Sequence, residues 1–323
     1  MAAPISTAAA FAGLVDLASE RLGGRALAAS DEFFAEKENL LKPGRGVFIE
    51  DKYTDYGKWM DGWESRRKRT PGHDWCVIQL GLPGTIRGVD VDTNHFLGNA
   101  PSFISLDAAT SADGPWTEIL PRSPVNPGAQ NLFGVMSAAV WTHVRLNIYP
   151  DGGVARFRVY GDVQPGKPGA GALVDLAALA NGGRAVACSD MFFSSMTNLI
   201  MPGRGVNMGD GWETKRRRGP GHDWVILQLA RTGRVRKLEI DTAHFKGNFP
   251  DTASVDTCHA PGQPVDGLTW PNYAWKELLP RQKLRADAVH TFEAELLDVG
   301  PVSHVRLNIH PDGGVSRFRV WGE

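Results

Sequence analysis

Apolar and polar residues alternate with a period of two along much of the chain. From His143 to Ile148, Val144, Leu146 and Ile148 alternate with His143, Arg145 and Asn147. From Arg156 to Tyr160, Phe157 and Val159 alternate with Arg156, Arg158 and Tyr160. A period of two puts successive side chains on opposite faces of a strand, so these segments predict sheets with one buried face. Trp75–Leu80 and Trp224–Leu229 are short, mostly apolar runs that suit strands in the core of a sandwich. Pro-Asp-Gly-Gly at 150–153 and 311–314 supplies turn residues between strand-like runs. Helical spacing is confined to LVDLASERL at 14–22 and LVDLAALA at 173–180. The pattern predicts antiparallel β-sandwiches of the jelly-roll kind, each opening on a short helix.

The elements come in duplicate. GGRALAASDEFF at 23–34 is answered 159 positions later by GGRAVACSDMFF, and PGRGV at 43–47 by PGRGV at 202–206. DGWES at 61–65 matches DGWET at 210–214, and PGHDW at 71–75 matches PGHDW at 220–224, now 149 positions apart. The first copy therefore carries ten extra residues within 48–60. The second copy has a matching insertion before Trp275, which restores the spacing of 159 from Trp116. VDVDTNHFLGNAP at 89–101 recurs as LEIDTAHFKGNFP at 238–250. A period this long is a duplicated domain, since solenoid repeats are far shorter. The sequence implies a first module over residues 1–163, a Pro/Gly-rich connector at 164–172 and a second module over 173–323.

Composition narrows the function classes. A formal net charge of −1 over 323 residues leaves no basic footprint for nucleic acid. No window approaches the roughly 18 unbroken apolar residues of a membrane span. The Ala-rich start has no Lys or Arg before its apolar run and Asp16 interrupts it, so it reads as a flexible leader-in. Cys76, Cys188 and Cys258 form no paired framework and no zinc spacing, which suggests free thiols in a cytoplasmic protein.

The order of segments in each copy resembles the galactose-binding-like (discoidin-type) jelly roll, in which loops at one end of the sandwich bind ligands. PGRG, DGWE followed by a basic run, PGHDW, DT-x-HF-x-GN and HVRLNI-x-PDGG, each written twice, resemble the allantoicase family over nearly the whole chain, from about Leu14 to Glu323. The resemblance implies an all-β chain of two tandem modules that hydrolyses allantoate to ureidoglycolate and urea in purine degradation. It leaves a divalent metal ion and homo-oligomerisation open.

Allantoate carries a carboxylate and two ureido groups on one carbon. A site for it needs a forked cation, amide or carboxylate partners, and an acid or base to help urea leave and water enter. Arg45 and Arg204, in their PGRG loops, are candidate carboxylate ligands, or else loop ion pairs. From the basic runs at 66–69 and 215–218, Arg67 or Arg216 is a further candidate. Glu64 and Glu213 each follow a tryptophan, where a carboxyl acquires a raised pKa and acts as acid or base, or else simply closes a turn. His95 and His244 fall by parity on the buried face of a strand and precede Gly-Asn, which marks a loop rim. They are candidate proton-transfer groups, and Asn99 and Asn248 candidate substrate ligands. His73 and His222, beside Asp74 and Asp223, read more readily as turn residues. Acid-assisted loss of urea from the central carbon and attack on a ureido carbonyl both remain open routes. No Ser-His-Asp or Cys-His nucleophile set is apparent. The competing reading is a non-enzymatic tandem carbohydrate-binding protein, but such modules are usually secreted and disulfide-stapled.

Overall fold

The computed structural model describes residues 11, 14–166, 172–270 and 273–323. Residues 167–171 of the expected connector, and most of the expected flexible start, lie outside these. The chain forms two compact units that part between Gln164 and Pro165. Each is an antiparallel β-sandwich, the jelly-roll architecture implied by the alternating pattern.

In the first unit one long strand, Asp74–Asp92, belongs to both sheets. Its first half pairs with Arg25–Ala29 and Trp141–Tyr149, its second with Arg156–Val163 and Gln130–Gly134. The partners change around Gly81–Gly84, where the strand turns the corner of the sandwich. In the second unit the same path is two strands, Asp223–Gly233 and Val235–Asp241, in separate sheets. Asn147 lies opposite Trp75 and Asn308 opposite Trp224, so the two Trp-led strands are equivalent.

The corner brings both ends of this path to one rim. Asp74 lies opposite Ile148 and Asp92 opposite Arg156, and these two partners flank the Pro150–Gly153 turn. Asp223 opposite Ile309 and Asp241 opposite Arg317 repeat the arrangement around Pro311–Gly314. Between the sheets lie the inward residues of the alternating runs: Ile78, Val89, Val91, Val144, Leu146, Phe157 and Val159 are fully buried.

The helices expected at the module starts are absent. Val15–Asp16 pairs as a strand with Tyr160–Gly161, and only a 3₁₀ turn, Glu20–Leu22, follows. Asp16 explains the difference: its carboxylate accepts from the backbone N–H of Ala18 and Val159, offering the chain a turn in place of a helix. The one α-helical segment among the described residues, Val265–Leu268, lies in the second copy's insertion. No helix of the described residues is long and apolar enough to cross a membrane.

Asp90, on the second half of the long strand, is buried, with Oδ2 accepting from Gln130 at 2.7 Å and Oδ1 without a partner. Burial pushes its carboxyl up to about 6. The folded state thus holds this proton more tightly than the unfolded chain does. Its contribution is full below about pH 4 and is lost as pH rises through 6. Asp90→Asn is therefore expected to raise stability at pH 8 by about 1–3 kcal/mol and to be near neutral at pH 4. Thermal melts at the two pH values check this.

Candidate active site

Glu64 stands on a two-residue strand, Trp63–Glu64, that pairs with Gly153–Val154 and bridges to Ala35. Trp63 anchors it: the indole is fully buried and its Nε1 donates to the Asp31 carbonyl at 2.8 Å. The Glu64 side chain is held at the rim by Asn99, whose Nδ2 donates to Oε1 at 2.7 Å. The Asn99 carbonyl also accepts from Gly153 N at 2.7 Å, so one residue ties the carboxyl to the turn. Burial raises the pKa of Glu64, and the Asn99 bond only partly offsets it. In the second unit Trp212 donates to the Asp190 carbonyl, and Asn248 Nδ2 lies 2.5 Å from Glu213 Oε1.

The two copies keep a Phe and two glycines here for a packing reason. Phe96 is fully buried beneath the Glu64–Gly153 pair. A Cβ on Gly153 would fall 2.0 Å from its ring, and one on Gly62 would fall 2.8 Å from it. Phe245 has the same relation to Gly314 and Gly211, at 2.0 and 2.8 Å. Glycine lets the backbone lie flat on the ring, and the ring fixes the height of the carboxyl above the core.

Glu64 and Asn99 line a depression of about 510 Å³ together with Arg67, Lys68 and Asp151. Lys68 is committed: its Nζ donates to the buried Asp74 at 2.7 Å and its N–H to Asp151 at 2.7 Å. Arg67 is exposed and is the lining guanidinium. Arg216, its counterpart, is likewise exposed.

The PGRG loops carry a different arrangement. Arg45 grips Asp92 through Nε and one terminal nitrogen at 2.8 and 2.9 Å, and Arg204 grips Asp241 at 3.0 and 3.3 Å. One edge of each fork is thus occupied by protein, while half or more of each side chain stays exposed. Neither arginine lines the Glu64 depression.

His95 and His244 are not strand residues, contrary to the parity reading. The strands stop at Asp92 and Asp241, because these carboxylates accept from the N–H two residues on, at 2.9 and 2.8 Å, and close a turn. Both histidines then take left-handed backbone, with φ of 70° and 71°. The His95 ring stacks on Phe48 at 5.5 Å. His244 Nε2 lies 2.8 Å from the Gly205 carbonyl, so that nitrogen carries the proton and ties the turn to the PGRG loop.

Two sets of site residues escape a single-sequence reading. Asp92 and Asp241 look like polar positions of an alternating strand; their recurrence at the same place in both copies was the available signal. The Lys68–Asp74 pair, mirrored by Arg217–Asp223 at 2.5 Å, was hidden inside a basic run. No group of three or more His, Cys, Asp or Glu side chains placed to hold a metal ion occurs among the described residues.

The family model for the allantoicase repeat matches residues 15–164 and again 174–323. A probable allantoicase of Burkholderia mallei is 54% identical, covering 95% of this chain and 94% of its own. A probable allantoicase of Photobacterium profundum is 51% identical over 97% of each. A crystal structure of allantoicase from Saccharomyces cerevisiae, 39% identical, superposes with a TM-score of 0.81 over 96% of this chain and 93% of its own. Two sandwiches, each matched by the family's repeat and each carrying a Trp-anchored glutamate and a rim asparagine of this chain, place this chain in the allantoicase family.

Proposed function

We infer that the chain hydrolyses allantoate to ureidoglycolate and urea, with Glu64 and Glu213 as the acids of their modules. One observation carries the assignment of the acid: a carboxyl with a raised pKa, held by an asparagine, faces a depression that also presents a free guanidinium. Arg67 receives the substrate carboxylate, and Arg216 does so in the second module. Protonated Glu64 gives its proton to the ureido nitrogen on the central carbon. That C–N bond breaks with its electron pair on the nitrogen, and neutral urea leaves. The lone pair of the other ureido nitrogen forms a C=N bond to the carbon. Water adds to this carbon and loses a proton, giving ureidoglycolate. Asn99 and Asn248 hold the carboxyls and offer amide contacts to the ureido groups. Arg45, Arg204, His95 and His244 shape the neighbouring loop. The free thiols of Cys76, Cys188 and Cys258 fit a reducing, cytoplasmic setting.

Incubating the purified chain with allantoate and quantifying both urea and ammonia tests this reading. Urea and ureidoglycolate in equal amounts are expected. Ammonia in place of urea would mean attack on a ureido carbonyl, and neither product would favour a binding protein.

Arg67→Lys, combined with Arg216→Lys, is expected to raise KM about tenfold with kcat nearly held. A point charge replaces the two parallel donors that bind the carboxylate alike in ground and transition states. Steady-state kinetics with a KM change under twofold would move the anion site to Arg45 and Arg204.

A further inference from the structure

We propose that His73 and His222 take the proton of the attacking water in their modules, each held as the Nε2–H tautomer by an asparagine that an aspartate fixes. This deepens the hydrolytic reading above and rests on it.

The tautomer follows from the bonds. Asn147 Nδ2 donates to Asp107 Oδ2 at 2.9 Å and to Ser105 Oγ at 3.1 Å. With its nitrogen on a carboxylate, the amide presents only Oδ1 to the ring, and His73 Nε2 lies 3.3 Å from it. That contact is a hydrogen bond only if Nε2 carries the proton, which leaves the Nδ1 lone pair free to act as a base. Asn147 is buried and cannot readily turn over. Asp107 is fixed in turn by Arg145 Nε and a terminal nitrogen at 3.0 and 2.8 Å. The second module repeats every link: Asn308 Oδ1 lies 3.2 Å from His222 Nε2, Asn308 Nδ2 lies 2.8 Å from Asp256, and Arg306 lies 2.7 Å from Asp256.

A turn residue does not need a three-membered chain on the polar face of a sheet to hold it. The position also fits. His73 precedes Asp74, whose carboxylate holds Lys68, and its ring packs at a tilt, 4.6 Å from that of Tyr149, the residue before Pro150. Lys68 and Pro150 both line the Glu64 depression, so His73, which is not itself a lining residue, is one residue removed from its wall on two sides. The charged groups around His73 are opposed pairs, Asp107 with Arg145 and Asp74 with Lys68, with Arg122 over the Tyr149 ring. The amide on Nε2 fixes the tautomer without placing a charge on the ring.

In the second module His310 replaces Tyr149 and lies 4.5 Å from the His222 ring. Arg281 donates to its Nδ1 at 3.1 Å, and burial, His222 and Arg281 together push it down to about 4. His310 therefore stays neutral near pH 7; Asp256 with Arg306 and Asp223 with Arg217 are the paired charges around His222.

The test is the pH profile of kcat/KM for urea release by the full chain and by two double variants. The native chain is expected to show an acidic limb, where protonation removes the base. Asn147→Asp with Asn308→Asp should move the limb up by about one pH unit, because a carboxylate on Nε2–H stabilises imidazolium. His73→Gln with His222→Gln should abolish the limb and lower kcat about 10²-fold. A merely structural histidine would leave the limb in place in both, and that result in folded protein overturns the proposal. Should the Asp variants fail to fold, a limb retained in the Gln variant overturns it alone. A native chain that releases no urea would instead overturn the reaction itself. Nitrogen NMR of histidine-labelled protein at pH 8 gives a readout free of substrate: Nδ1–H on His73 and His222 would refute the arrangement.

Discussion

Glu64→Gln combined with Glu213→Gln is expected to lower turnover of allantoate by about 10²–10⁴-fold, the usual worth of a positioned acid. Gln keeps the shape and keeps an oxygen to accept from Asn99, so the melting temperature should barely change. Because burial raises the pKa of Glu64, the native group retains its proton further towards neutral pH than an ordinary carboxyl, and the amide cannot supply that proton at any pH. Glu64→Gln alone should remove more than half of the turnover, since Glu64 is the more buried of the two carboxyls. Urea release by the single and double variants decides the matter. A double variant keeping more than about a tenth of native kcat would show that another group protonates the leaving nitrogen, because tenfold corresponds to only about 1.4 kcal/mol.

The largest loss of stability should come from Phe96→Ala or Phe245→Ala. Emptying a fully buried aromatic site costs about 3–5 kcal/mol, and a module of this size loses roughly 2–4 °C per kcal/mol. The glycines that accommodate the ring have no side chains to fill the space, so the cavity stays open. Activity per folded molecule should fall as well, since the ring supports the Glu64–Gly153 pairing. Calorimetry, together with urea release corrected for folded fraction, checks both parts. A melting temperature within 2 °C of native would refute the packing account.

Much of this was legible beforehand for a physical reason. The strands follow period two because one face of each sheet meets the core and the other meets water, and the duplication showed which runs belong together. Glu64 and Asn99 could be named because Trp63 and Gly98 mark a buried anchor and a loop rim beside them. The rest depends on partners distant in sequence. Arg45 reads equally as a ligand or as a loop ion pair until Asp92 comes alongside. His95 looks like a strand residue until the carboxylate of Asp92, three positions earlier, closes a turn. Asp16 defeats the helical spacing at the module start in the same way, by giving the backbone a competing hydrogen bond. The contact between His73 and Asn147 spans 74 positions and is invisible to local pattern.

Each module begins and ends side by side. Val15 pairs with Gly161, and Gln164 N donates to the Pro83 carbonyl at the corner of the long strand, the end of the sandwich opposite the Pro150–Gly153 rim. Val174 pairs with Gly322 in the second module, and Arg234 and Glu323 exchange backbone bonds at the matching corner. Such a fold is suited to gene duplication: a second copy can be fused at the ends without the joint disturbing the loops that carry the chemistry. The same geometry left those loops free to diverge, so that a copy could gain ten residues beside its arginine loop while the sandwich beneath stayed the same.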